Sequence, residues 1–410
     1  MKAGYVFLLA LLLVAVPVPQ AFAESITAGA AKQVFKLPSG VPLAGYSRRH
    51  GKPSTGQHDP VGVRALVVRG SQSSLAVVSC DLLIIDEQLF QAVQKQLPQL
   101  TLFIAATHTH SGPGAYGKKF AEKISMGHYD PRVFDAIVAA VVQAVEAADK
   151  ASLPMRMACD EATTEGLAKN RVEGGGFADN QLVVCGIYAQ ESANPTAIIA
   201  NFSAHPTTLG AWNKALSADY PGVVMSGLEQ RFPSAVAFFF AGAVGDQAPV
   251  KSGEGFGRAE FIGRPLTRYA AGILARLAPA SPGHFGFLQE ILPLPPAKVR
   301  LNKHLALPRW FGQALVDDDA SLSIAVIGQT AWFGVPCDLS SLLGRQLKEA
   351  ARARGLFPVV VGFTNDYIGY CMPEPVYQTA EYEALMGFNG PKAGQLIVDR
   401  LIQMLGTLGK

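Results

Sequence analysis

No run of like charge, no low-complexity linker and no internal repeat interrupts this 410-residue sequence, of which only 16% is charged, with a formal net charge of +3. Its basic residues are scattered rather than gathered into a stripe or tail, which argues against nucleic acid as a partner. Cysteine is scarce: Cys80, Cys159, Cys185, Cys337 and Cys371 are widely spaced, odd in number and form no CxxC pair. That spacing argues against a cysteine-bound zinc. Export would permit one or two disulfides with the pairing open, and Cys80 and Cys185, inside apolar strand-like runs, read as small buried hydrophobes. Also missing are a GxSxG elbow, an HExxH helix, a GxxxxGK[ST] loop and a GxGxxG turn after a strand, so a serine hydrolase or a nucleotide-binding protein has little support. Gly174-Gly175-Gly176 reads as a flexible turn rather than a phosphate cradle, because no helical pattern begins after it. Beyond the N-terminus, charge, Gly or Pro cuts every apolar run within about ten residues, too short to span a bilayer.

What is present begins with Met1-Lys2, an apolar stretch over 6–18 and Ala21-Phe22-Ala23, the pattern of a signal peptide. Residues 1–23 are therefore expected to be removed, leaving 24–410 exported to a periplasmic or extracellular space. Hydrophobic residues make up 49% of the chain, ample for a large core, and no shift in composition marks a boundary, so one domain is expected. Runs rich in β-branched residues at 65–69, 75–80, 102–106, 198–202 and 236–240 read as buried strands. Between them, Asp130-Pro131 followed by Val133, Ile137, Val141 and Val145 predicts a helix, and so does 339–354. This alternation predicts an α/β fold of mixed strands flanked by helices.

Polar residues follow several strands. The run at 102–107 delivers His108-Thr109-His110, 198–204 delivers His205, 236–245 delivers Asp246, 332–336 delivers Asp338, and 359–364 delivers Asn365, Asp366 and Tyr367. Loops at the carboxyl ends of strands are where α/β proteins gather ligands, so five such ends suggest one site. Two histidines at i and i+2 of an extended chain point to one face and can share a metal, or divide metal and substrate between them. The Gly112-Pro113-Gly114 turn lets backbone approach whatever is bound. Pro206 keeps His205 out of helical geometry, which suits a ligand at a strand tip. Catalytic zinc takes three protein ligands and leaves an open position; with two histidines, the oxygen partner is sought in Asp338 or a tyrosine.

These segments together resemble the N-terminal catalytic domain of the neutral, non-lysosomal ceramidases. The likeness runs from Val41-Pro42-Leu43-Ala44-Gly45-Tyr46 and the 56–65 segment through Ala106 to Gly114, Asn170-Arg171, Ser203-Ala204-His205-Pro206, Ser217-Ala218-Asp219 and Val244-Gly245-Asp246. It continues through Val335-Pro336-Cys337-Asp338 and Gly362-Phe363-Thr364-Asn365-Asp366-Tyr367-Ile368-Gly369-Tyr370 to Tyr382-Glu383. The resemblance implies zinc ligands at His108, His205, Asp338 and Tyr370, and substrate or oxyanion contacts at His110, Arg171 and Tyr382. It also implies zinc-assisted hydrolysis of the N-acyl amide of a ceramide-like lipid, with possible contact at a membrane surface. Three departures stand out. Where the family usually reads GDxSP, this chain has Gly245-Asp246-Gln247-Ala248-Pro249, with no hydroxyl at 248; the ligand Glu is the shorter Asp338; and the sequence stops at Lys410, before the family's C-terminal immunoglobulin-like domain. They leave open a metal-dependent hydrolase of another amide or ester, or a binding relative without turnover. The Leu- and Phe-rich stretch 301–311 reads as core or as part of an acyl groove.

Overall fold

The computed structural model describes residues 26–408 except 72, 173–175, 303–304, 314–315 and 380–381. The expected signal segment, and Gly174 and Gly175, lie outside the described residues. The N-terminal half supplies β1 (Thr27–Val34), β2 (Gly62–Arg69), β3 (Ser74–Cys80), β4 (Thr101–Ala106), β5 (Leu153–Thr163), β6 (Ala168–Asn170), β7 (Gln181–Ala189), β8 (Pro195–Phe202), β9 (Val236–Ala241) and β10 (Gln247–Pro249). The rest supplies β11 (Phe285–Pro293), β12 (Asp319–Ile327), β13 (Thr330–Gly334), β14 (Asp338–Leu339), β15 (Phe357–Val361) and β16 (Tyr370–Cys371). The helices used below are α1 (Glu87–Gln96), α2 (Phe120–Met126), α3 (Pro131–Lys150), α4 (Asp219–Arg231), α5 (Gly257–Leu274), α6 (Arg309–Gln313), α7 (Ser341–Arg352), α8 (Glu374–Tyr377), α9 (Tyr382–Leu385) and α10 (Ala393–Leu408).

Eight strands form one sheet in the order β4-β3-β2-β1-β5-β7-β8-β9, parallel only at the β3/β4 and β8/β9 pairs. Four more, β11-β12-β13-β15, form a second sheet, and β14/β16 and β6/β10 are short two-stranded ladders. The mixed α/β fold read from the sequence is thus present, with more antiparallel pairing than simple alternation conveys. Both faces of the large sheet are buried, which is why its strands read as continuous apolar runs. In β9, Ala237, Phe239 and Ala241 join the core under α1, α3, α4 and α5, while Phe238 and Phe240 join the core against the second sheet. In β13, Trp332 faces that inter-sheet core, and Ala331 and Phe333 face the core under α7 and α10. The period-two alternation therefore builds four layers, helix, sheet, sheet, helix. Each fully buried aliphatic or Phe side chain contributes about 1.5–3 kcal/mol.

Local signals set the helix starts. Asp130 accepts from Arg132 N at 2.9 Å and Pro131 opens α3, whose Val133, Ile137, Val141 and Val145 are buried as the spacing predicts. The helix expected from 339 begins only at Ser341, because Leu339 pairs with Cys371 in β14/β16 and Ser340 caps the helix through Leu343 N. Cys80 is free and buried as expected, but Cys185 is bonded to Cys159. The two lie directly opposite in the β5/β7 register, a juxtaposition that spacing along the chain does not reveal.

Five hydrogen bonds at three junctions bring the site-bearing strand ends together. Ser79 Oγ of β3 donates to Phe239 O of β9 at 2.7 Å, although six places separate these strands in the sheet order. Asn201 Nδ2 of β8 reaches Phe240 O at 3.0 Å and Val360 O of the second sheet at 2.8 Å. Ala106 N donates to Phe363 O at 3.3 Å and Asn365 N to Ile104 O at 2.8 Å, joining the end of β4 to the segment after β15.

Candidate metal centre

Just past β4 the backbone bends sharply. His108 adopts φ +63°, a left-handed conformation rare for a residue with a Cβ. Its ring stacks on Phe363 at 3.8 Å between centroids, and its Nδ1 lies 2.7 Å from Leu83 O. A carbonyl can only accept, so Nδ1 carries the proton and Nε2 keeps its lone pair. His205 is held the same way: its backbone N and its Nδ1 both point at Gln247 O, at 3.2 and 3.0 Å. Burial holds the His108 imidazole down to about 3 and pushes His205 and His110 well below the usual range, so all three rings are neutral at neutral pH.

Asp338 and Tyr370 are paired residues of the parallel β14/β16 ladder, which puts their side chains on one face. Asp338 Oδ2 accepts from Tyr367 OH at 2.8 Å. Among the described residues its Oδ1 is buried without a hydrogen-bond donor, and it lies 2.9 Å from His205 Nε2 and 3.7 Å from His108 Nε2. Tyr370 OH lies 3.3 Å from His205 Nε2. The Nε2 lone pairs of His108 and His205 thus converge on Asp338 Oδ1; His110 Nε2 and Tyr370 OH are within reach of the two imidazoles, but among the described residues nothing donates to Oδ1, and a buried carboxylate oxygen left so is costly unless a cation sits there. Donors about 3.3 Å apart are what a tetrahedral zinc with bonds of ~2.0–2.1 Å requires, and the imidazole and carboxylate set suits it. The donor set therefore fits a divalent metal. Burial raises the Asp338 carboxyl and the Tyr370 phenol, while the Arg171 charge and its hydrogen bond lower the latter.

The residues expected to face substrate surround this cluster. Half-buried His110 has Nε2 3.2 Å from His108 Nε2, and its buried Nδ1 has no partner among the described residues. The ligand nitrogens of His108, His110 and His205 lie within 4.8 Å of one another, so distance alone would also let His110 ligate. Arg171 Nη2 donates to Gly245 O at 2.9 Å and Tyr370 OH at 3.0 Å, and its Nε stands 2.8 Å from Glu383 Oε1. Tyr382, 58% exposed, sits at the rim with its ring 5.6 Å from that of Tyr370.

Other polar strand ends turn out to be scaffolding. Asp246 accepts from Ser341 N and Oγ at 2.8 and 3.0 Å, and Asn365 binds Ile104 N, Leu102 O and Ser323 Oγ at 2.7, 3.1 and 3.0 Å. Asp366 is buried and pushed up to about 6 by desolvation. In the 301–311 stretch Leu307 and Phe311 are half-buried, but Leu301, Leu305 and Trp310 are 53%, 55% and 69% exposed, so most of its large residues lie outside a core. Tyr367, expected at a strand end, does reach the cluster through Asp338, whereas Glu383, Tyr46 and Arg49 escaped the sequence reading as site residues. Arg49 Nη1 donates to His110 O at 2.6 Å, and the Tyr46 ring lies 5.0 Å from that of His110. Tyr46 and Glu383 stand within the very segments that carry the resemblance, and that proximity was the available signal.

Residues 37–255 match the family described as neutral/alkaline non-lysosomal ceramidase, N-terminal. Neutral ceramidase of Pseudomonas aeruginosa is 32% identical over 131 residues, 28% of this chain and 19% of the relative's own length. The crystal structure of neutral ceramidase from Pseudomonas aeruginosa superposes with a TM-score of 0.82 at 21% identity, covering 94% of this chain and 75% of that one. A structure described as ceramidase complexed with C2 does so with a TM-score of 0.82 at 19% identity, covering 94% and 76%.

Proposed function

The chain belongs to the neutral/alkaline non-lysosomal ceramidase family, and from that premise we propose that it is an exported zinc hydrolase cleaving the N-acyl amide of ceramide-like lipids. The observation that carries the reading is Asp338 Oδ1, a buried carboxylate oxygen without a donor that faces the unprotonated Nε2 atoms of His108 and His205. His108, His205, Asp338 and Tyr370 would hold the ion. Zinc bound there supplies Lewis acidity to the amide carbonyl and an acidified water.

The remaining steps fall to the chain's own groups. Arg171, permanently charged and half-buried, is placed to stabilise an oxyanion. Neutral His110 is able to take a proton and return it to the departing amine, which leaves poorly as an anion. Although much of its ring is exposed, desolvation at the hydroxyl and then the Asp338 charge raise the Tyr382 phenol, so it stays protonated and acts as a donor at the rim. Ala248 has no hydroxyl, so no nucleophile comes from that position. Exposed Leu301, Leu305 and Trp310 are suited to a lipid surface. The N-terminal pattern and the Cys159–Cys185 disulfide support export, since disulfides persist in oxidising compartments.

The test is metal analysis of purified protein together with hydrolysis of a fluorescent short-chain ceramide before and after chelation. We expect near-stoichiometric zinc and fatty-acid release that chelator abolishes and zinc restores, both lost in His205→Ala. Zinc without ceramide turnover would move the substrate to another N-acyl amide; folded protein that takes no metal would overturn the reading. Fractionation of expressing cells, with N-terminal sequencing of the product, tests export.

A further inference from the structure

Gln247 is fully buried and uses every hydrogen-bonding atom of its side chain. Its Nε2 lies 2.9 Å from Asp246 Oδ1, 3.0 Å from Phe177 O and 3.1 Å from Ser341 Oγ, and its Oε1 accepts from Asp179 N at 3.1 Å. Those partners belong to three segments: the chain leading into β7, the turn before β10, and the start of α7 three residues after Asp338. Its backbone carbonyl is the acceptor that holds both the N and the Nδ1 of His205. One residue earlier, Asp246 O accepts from Arg171 N at 2.8 Å, and Gln247 itself pairs with Asn170 in β6/β10. A single buried amide thus ties together the backbones that present His205, Arg171 and Asp338.

We propose that Gln247 is a positioning residue: by locking the 246–247 backbone, its side-chain amide sets the His205 tautomer and aims Nε2 at the metal cluster. Outer groups that orient a metal-ligating imidazole are worth 10–100-fold in metal affinity. Asp246 cannot do the same work alone, because its carboxylate accepts from Ser341 but has no donor with which to grip Phe177 O. An apolar side chain of similar length at 247 would leave Asp179 N without its acceptor and Phe177 O held by Ser341 Oγ alone, at 3.0 Å, and free the carbonyl beneath His205 to shift. This inference rests on the metal-site reading for its affinity consequence, but the tautomer consequence needs no metal.

The experiment compares the full chain with Gln247→Met, and with Val141→Ala in α3 as a control that costs core packing far from the site. Zinc affinity is measured by chelator competition, and the His205 ring nitrogens of metal-free protein by long-range ¹H–¹⁵N NMR, assigned with His205→Ala. We expect Gln247→Met to bind zinc roughly 10–100-fold more weakly and to show a mixed His205 tautomer, with Val141→Ala unchanged in both despite its lower melting temperature. Gln247→Asn, which keeps the amide but shortens the reach, should fall between. An unchanged tautomer and affinity in folded Gln247→Met overturns the proposal. So does equal loss in Val141→Ala, which would mark a general stability effect. If wild-type protein binds no zinc but the tautomer still shifts in Gln247→Met, the positioning role stands and the metal reading falls.

Discussion

Gly45 shows how one missing Cβ shapes the site. It adopts φ +102°, and a Cβ there would lie 2.6 Å from His110 Nδ1. That Cβ would also lie 2.8 Å from His110 Cα, so Gly45→Ala should displace His110 in both ring and backbone, lowering turnover strongly while zinc content falls far less, at a stability cost of about 1–3 kcal/mol. Parallel metal analysis and kinetics separate the two effects, and an unchanged kcat would refute the expected collision. The residue types of the site were legible without a structure: His108 and His205 stood out by their motifs, and the structure brings both to one cluster with Asp338, Tyr370 and Arg171. What the residues could not show was the division of labour among polar strand ends. Asn365 and Asp246 sit at strand ends much as Asp338 does, yet their side chains are spent on backbone groups and on the buried side chains of Ser323, Ser341 and Gln247. Only the count of donors reaching each oxygen tells a ligand from a brace.

Among the elements, α3 was read most directly, since Asp130-Pro131 and the three-to-four spacing of Val133, Ile137, Val141 and Val145 each act within the helix itself. Asp130→Ala removes the acceptor for Arg132 N and should cost about 1 kcal/mol in urea unfolding, with activity unchanged. A loss in activity greater than in stability would show that α3 does more than pack. The start of α7 was misplaced by two residues because helical spacing continues back through Leu339, while the competing β14/β16 pair depends on Cys371, distant in sequence. The Cys159–Cys185 bond was likewise hidden, because strand register is decided by partners along a whole sheet.

At the scale of the molecule, Asn365 fastens the two sheets near the centre. Asn365→Ala leaves Ile104 N, Leu102 O and Ser323 Oγ without their shared partner and should cost about 2–5 kcal/mol, read from the urea midpoint. Asp81 adds a pH dependence. Burial first, against the opposing charge of Arg64, lifts its carboxyl to about 6, above its usual 3.8. The folded state holds this proton more tightly than the unfolded chain, so the contribution is fully present below about pH 4 and lost as pH rises through about 6. Asp81→Asn lacks that loss. Its stability relative to wild type should therefore grow by up to about 3 kcal/mol between pH 4 and pH 7. A gap that does not change with pH would show that Asp81 keeps an ordinary pKa.

The apolar runs, the capped helix and the residue types that gather at the strand ends were determined by sequence alone, because propensity, capping and side-chain chemistry act within a few residues. The convergence of His108, His205 and Asp338 belongs to the tertiary structure. It depends on β9 returning beside β3, on β15 docking against β4 and β8, and on Gln247 and Leu83 choosing which nitrogen each histidine presents. Those are contacts between residues far apart along the chain, and their energies depend on a geometry that exists only once both sheets have packed.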